Sequence, residues 1–136
     1  MPNDIKIQLH QVSTSTSEAA IRNHTVLIDR PASKGGTDMG PMGGELFLAA
    51  VGGCFMSNLL AAIKAREAGI SGVRIEVIGK LGEAPARFEA INLYVTADGV
   101  DRESLDRLVE IADRACIMMN TLRGTLDIRI RIGVPV

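Results

Sequence analysis

Ile5, Ile7 and Leu9 alternate with Lys6, Gln8 and His10, the period of two that marks a strand with one buried face. A Ser/Thr-rich turn follows at 13–17, and residues 20–29 (AIRNHTVLID) predict one or two further short strands closed by Pro31. Residues 31–44, PASKGGTDMGPMGG, hold five glycines and two prolines and predict a loop. Its lysine precedes the glycines, and neither GxxxxGK(S/T) nor GxGxxG fits, so it is not a phosphate loop.

Beyond the loop the period changes. Residues 42–68 predict one long helix ending near Gly69. Ala49, Gly53, Ser57 and Ala61 recur every fourth residue and shave one ridge of it nearly to backbone. Glycine inside a helix costs about 1 kcal/mol relative to alanine, so the Gly52–Gly53 pair needs a reason. Close packing is one; a break that restarts the helix and re-aims Cys54 is another. Residues 73–81 and 88–97 then predict strands joined across GEAPAR, and Asp101 caps a second helix. Its apolar stripe runs through Leu105, Leu108, Val109, Ala112, Cys116 and Met119. TLDIRIRIGV closes the pattern with strict alternation of Leu126, Ile128, Ile130, Ile132 and Val134. This order predicts an α+β fold in a single domain over 1–136, an antiparallel sheet packed on two helices, one of them long, central and buried.

Composition narrows the function. A chain of 136 residues with 46% apolar content has enough hydrophobic material for one core and is not a disordered segment. Fifteen basic residues stand against sixteen acidic ones, so no global field attracts nucleic acid or an anionic membrane. Three Phe, one Tyr and no Trp leave little to stack on bases, and no nucleic-acid partner is expected. Residues 46–63 are eighteen in a row without a charge, the minimum for a membrane span. Gly52, Gly53, Ser57 and Asn58 interrupt that run, so a buried helix is expected and no membrane. The start, MPNDIKIQLH, has no basic region before an apolar run, so no secretory leader is expected. There is no C-x-x-C, and His10 and His24 have no ligand spacing around them, so no metal site is expected; chemistry carried by two thiols needs no organic cofactor either. Two thiols in such a chain point to a cytoplasmic location.

Those thiols are the candidate chemistry. A free cysteine is most simply a small buried hydrophobe. Cys54 and Cys116, however, fall on the apolar faces of two helices, and thiols that approach can be oxidised and reduced in turn. A reactive thiolate also needs a cause, because a thiol of pKa about 8.5 is only a few per cent ionised at neutral pH. The helix dipole acts over the first turn, and Cys54 lies some three turns in. Either the Gly pair restarts the helix or a cation is brought to the sulfur. Eleven of the fifteen basic residues are arginine, and the pattern alone does not choose among them. Glu45 is a favourable charge in the first helical turn. On an unbroken helix it stands opposite Cys54, nine residues at 100° each, and meets that sulfur only across a break or in another chain.

GPMGGELFLAAVGGCF, followed some sixty residues later by CIMMNTLRGTLDI, resembles the two-cysteine pattern of the OsmC/Ohr family (osmotically inducible protein C and organic hydroperoxide resistance protein). The likeness covers the whole order of elements. It implies an intertwined homodimer with two active sites at the subunit interface, and a thiol-dependent peroxidase acting on organic hydroperoxides in the oxidative stress response. By the same resemblance Cys54 is peroxidatic, Cys116 is resolving, and an external dithiol is the reductant. An arginine from the N-terminal strands and a glutamate opening the central helix assist; Arg22 and Glu45 are the nearest matches, with Arg30 a rival to Arg22. Glu45 stands nine residues before Cys54, the spacing of the OsmC-like branch, whereas the hydroperoxide-resistance branch has its glutamate at the place of Gly44. Ile117 stands where the family often has proline. Leu46, Phe47, Phe55 and Met56 offer an apolar lining suited to an alkyl peroxide. The alternative is a non-enzymatic relative that binds a small apolar or thiol-bearing ligand; a cysteine acyl-transfer enzyme would have only His10 or His24 as base.

Overall fold

The computed structural model describes residues 3–99 and 101–135, and the chain divides into two compact units, residues 1–47 and 48–136. In the first unit β1 (Gln8–Gln11), β2 (Ser17–Ile21) and β3 (His24–Ile28) form an antiparallel sheet in that order. Arg22 and Asn23 turn the chain between β2 and β3, where Ile21 pairs with His24. The central strand carries the buried position of the sheet, Ala19. The alternation at Ile5, Ile7 and Leu9 predicts a half-buried strand, yet the strand starts only at Gln8 and all three side chains are exposed, Ile5 at 86%. Of that row only Leu9 lies in β1, an edge strand of the sheet.

The Gly/Pro loop is built around a buried carboxylate. Asp29 accepts hydrogen bonds from the hydroxyls of Thr16 at 2.8 Å and Thr37 at 2.6 Å, and from the backbone amide of Met39 at 3.1 Å. Its other oxygen accepts from the amide of Arg30 at 2.7 Å. A side chain at Gly36 would collide with the Arg30 carbonyl, and one at Gly40 with the Leu27 carbonyl, so the loop folds back onto β3 only with glycine there.

Helix α1 (Gly43–Ala65) leads into the second unit without a break. There β4 (Ser71–Gly82) and β5 (Arg87–Asp98) form a hairpin, and β6 (Asp127–Ile132) lies on the far side of β5. Between β5 and β6 come α2 (Arg102–Ala115) and the short α3 (Ile117–Leu122). The expected antiparallel pairing holds for β1–β2, β2–β3 and β4–β5, whereas β6 runs parallel to β5. A helical crossover returns the chain in its starting direction, which is what a parallel pair requires.

Ile91, Leu93 and Val95 of β5 form the floor of the core. Over it lie Val51, Phe55, Leu59, Ala62 and Ile63 of α1 and Leu105, Leu108, Val109 and Ala112 of α2. Gly52 answers half of the glycine question, because a Cβ there would stand 2.6 Å from Val77 Cγ2 of β4. Gly53 does not, since a Cβ would meet nothing within 4 Å. Burial covers one face of α1; Ala49, Gly53, Ser57 and Ala61 are all exposed in this chain. By length and composition α1 could cross a membrane, with mean hydropathy 2.0 over its apolar window. Its seat against β4 gives that apolar face another use.

Candidate active site

Cys54 sits about three turns into α1, between the buried positions of its core face, and is partly exposed. Cys116 is placed by a break. The stripe Leu105–Leu108–Val109–Ala112 carries α2 as far as Ala115, and Cys116 then takes an extended conformation, φ −80° and ψ 118°. Its amide donates back to the Asp113 carbonyl at 3.3 Å, and its carbonyl accepts from the Asn120 amide at 3.0 Å, opening α3. One residue thus ends a helix and starts the next. The pattern predicts one continuous stripe to Met119. Ile117 takes the first position of α3.

The outcome is a close thiol pair. Both cysteines are free, and their sulfurs lie 3.3 Å apart, with the Cys116 thiol donating to the Cys54 sulfur. Cys116 is fully buried. Burial pushes its thiol pKa up, assisted by the neighbouring Cys54 sulfur and opposed by the amides of Met118 and Met119. The asymmetry divides the pair: Cys116 is buried and its thiol is held more firmly in the neutral form, whereas Cys54 is partly exposed. A disulfide would bring the sulfurs from 3.3 Å to a bond of about 2.0 Å. Asn58, one turn after Cys54, donates from Nδ2 to the Cys54 carbonyl at 2.9 Å and lies 3.9 Å from its sulfur. Sequence reasoning did not single it out, although an i+4 polar neighbour on a helix was the signal available.

The other two expected residues belong to the N-terminal unit. Arg22 occupies the exposed β2–β3 turn with φ +54°, and Glu45 accepts from the Met42 amide at 2.8 Å, capping the start of α1. Because α1 is continuous, the Gly pair does not restart it at Cys54. Phe55, expected to line an apolar site, is instead a fully buried core residue. A cleft of about 480 Å³ beside α2 has charged walls, including Glu103, Arg107 and Asp113, over Met119, Ile128 and Ile130. Neither cysteine lines it, so cavity size is no guide to the chemistry here. Among the described residues no group of three or more His, Cys, Asp or Glu is placed to hold a metal.

A family model described as OsmC-like protein matches residues 35–131, the segment holding both cysteines and the loop before α1. The chain belongs to the OsmC-like family. This OsmC-like chain is also similar along its length to solved structures. A hypothetical protein from Aquifex aeolicus VF5 superposes with a TM-score of 0.83 at 18% identity, over 98% of each chain. An organic hydroperoxide resistance protein OsmC from Legionella pneumophila gives 0.74 at 20% identity, over 95% of this chain and 96% of that one. The organic hydroperoxide resistance protein OhrB of Bacillus subtilis gives 0.69 at 23%, over 94% and 96%. At such identities the likeness establishes the OsmC/Ohr fold. No curated protein matches the sequence.

Proposed function

We propose that this OsmC-like chain is a thiol-dependent peroxidase that reduces organic hydroperoxides, working as a homodimer in the reducing cytoplasm. One observation carries the proposal: two free sulfurs 3.3 Å apart, one on a fully buried residue and the other on a partly exposed one. Two of the solved structures it resembles are named as organic hydroperoxide resistance proteins, in keeping with this chemistry.

Cys54 thiolate attacks the distal peroxide oxygen, the O–O bond breaks, and the alkoxide takes a proton to leave as an alcohol. Cys54 is then a sulfenic acid. The Cys116 sulfur displaces its hydroxyl as water, giving the Cys54–Cys116 disulfide. An external dithiol supplies two electrons and two protons to restore both thiols. Arg22 stabilises the thiolate and the developing alkoxide, and Glu45 orients Arg22. On a continuous helix Glu45 stands opposite Cys54 of its own chain, so it serves the Cys54 of a second copy. The exposed ridge Ala49/Gly53/Ser57/Ala61 and the half-exposed Leu60 on the same helix give that second copy a surface to pack on.

Mass spectrometry after treatment with tert-butyl hydroperoxide is the test. The native protein should lose two hydrogens (two protons and two electrons, passed to the peroxide) as the disulfide forms, and Cys116→Ser should pass through sulfenic to sulfinic acid at Cys54. If Cys54 remains a free thiol under excess peroxide, the peroxidase reading fails and a ligand-binding role replaces it.

A further inference from the structure

Asn58 has no evident reason to stand where it does. Asparagine is a poor helix former, clearly less favourable than alanine in a helix interior. Here it sits in the middle of a 23-residue helix, partly buried, where neither end needs a cap. Its amide group is turned back along α1 onto Cys54. The 2.9 Å bond from Nδ2 to the Cys54 carbonyl fixes that orientation, and the same nitrogen stands 3.9 Å from the sulfur. An Asn amide nitrogen carries two N–H groups, so one can hold the carbonyl while the other faces Sγ. Cys54 Sγ therefore has two donors directed at it, the Cys116 thiol and the Asn58 amide. A sulfur ringed by donors is suited to negative charge, because hydrogen bonds to an anion strengthen when the charge forms.

We propose that Asn58 is a hydrogen-bond donor to the reacting sulfur, holding Cys54 as thiolate and then the oxygen of its sulfenate. The thiolate draws the free N–H inward from 3.9 Å, while the bond to the Cys54 carbonyl keeps the amide from turning away. This inference rests on Cys54 being the reactive thiol, and its test uses no peroxide.

In the Cys116→Ser background Cys54 is the only thiol, and its alkylation by iodoacetamide reports thiolate directly. Asn58→Leu keeps the size of the side chain and removes the donor. Its alkylation rate at pH 7 should fall about three- to tenfold, and the whole pH profile should move to higher pH. Asn58→Asp, which replaces the donor by a charged acceptor, should lose tenfold or more. Asn58→Gln, which restores an amide on a longer stem, should recover part of the rate. Helical circular dichroism and thermal melts identify any variant that has lost its fold, and the remaining variants then decide. Profiles that superimpose on that of the parent would overturn the proposal and leave Asn58 as a backbone anchor. A profile that shifts in a protein whose Cys54 resists peroxide would keep the donor role while the peroxidase reading falls.

Discussion

Asp29 shows how one residue organises the approach to the helix that carries Cys54. The hydroxyl of Thr37 contributes most to holding its carboxyl well below the usual carboxylate range; burial opposes this, and the Met39 amide, the Thr16 hydroxyl and the Arg30 amide add to the lowering. A carboxylate whose pKa falls on folding stabilises the native state above its unfolded value, near 3.9. That stability is lost as pH drops through the lower folded value. Acid should therefore loosen the 29–44 loop below about pH 4, followed by amide hydrogen exchange of Met39 and Asp38. Asp29→Asn should be less stable at neutral pH and should show a flatter acid limb. Arg22 invites a separate test. At φ +54° a non-glycine residue sits in the left-handed region at a cost of about 1–2 kcal/mol. Arg22→Gly relieves that strain, partly offset by a freer unfolded chain, so the melting temperature should hold or rise. Peroxide turnover should nevertheless fall, because the guanidinium is gone. A fall in turnover with an unchanged melt assigns Arg22 to chemistry; unchanged turnover would redirect the role to Arg30.

Helix α1 holds its two adjacent glycines for different reasons. Gly52 lets the helix lie against β4, and Gly52→Ala should cost about 1–3 kcal/mol by overpacking on Val77, read as a lower midpoint in urea. Gly53 faces outward with Ala49, Ser57 and Ala61. This division was invisible in the linear pattern. A Gly-Gly pair is compatible with a break, a bend or a close approach, and only the position of Val77 decides. The break at Cys116 was equally hidden. RACIMMN contains no glycine or proline, and each residue in it is compatible with a continuous helix. The turn out of α2 aligns Met119 with the core while leaving Cys116 at the seam.

At the scale of the whole molecule, the lone chain leaves apolar surface uncovered on β1 and along α1. Ile5, Leu9 and Leu60 are each about half exposed or more, surface that the proposed second copy would cover. Subunit complementation checks both the dimer and the shared site. Cys54→Ser and Glu45→Gln should each be inactive or slow alone. Mixed and refolded together, half of the dimers are hybrids, and each hybrid holds one site with both residues intact. About a quarter of the parental peroxide turnover should return. No recovery in a confirmed hybrid dimer would place Glu45 and Cys54 of one site on the same chain, or remove Glu45 from the site.

Local chemistry was enough for much of this protein. Period-two runs placed both long hairpin strands and β6, Asp101 marked the start of α2, and the two cysteine motifs pointed to the OsmC/Ohr family. Each depends on neighbours along the chain, where side-chain period and capping act directly. Three features were decided by tertiary structure. β6 pairs parallel to β5 because the crossover through α2 and α3 carries the chain back to its starting end, so that β6 runs in the direction of β5. The Ile5–Ile7–Leu9 row is exposed because burial depends on what covers a face, which alternation cannot specify. Cys116 reaches 3.3 Å from a sulfur sixty-two residues away because one extended residue ends α2 against the core. Spacing along a chain fixes which face a side chain takes; only packing fixes what stands opposite, and the chemistry of a thiol pair depends on the second.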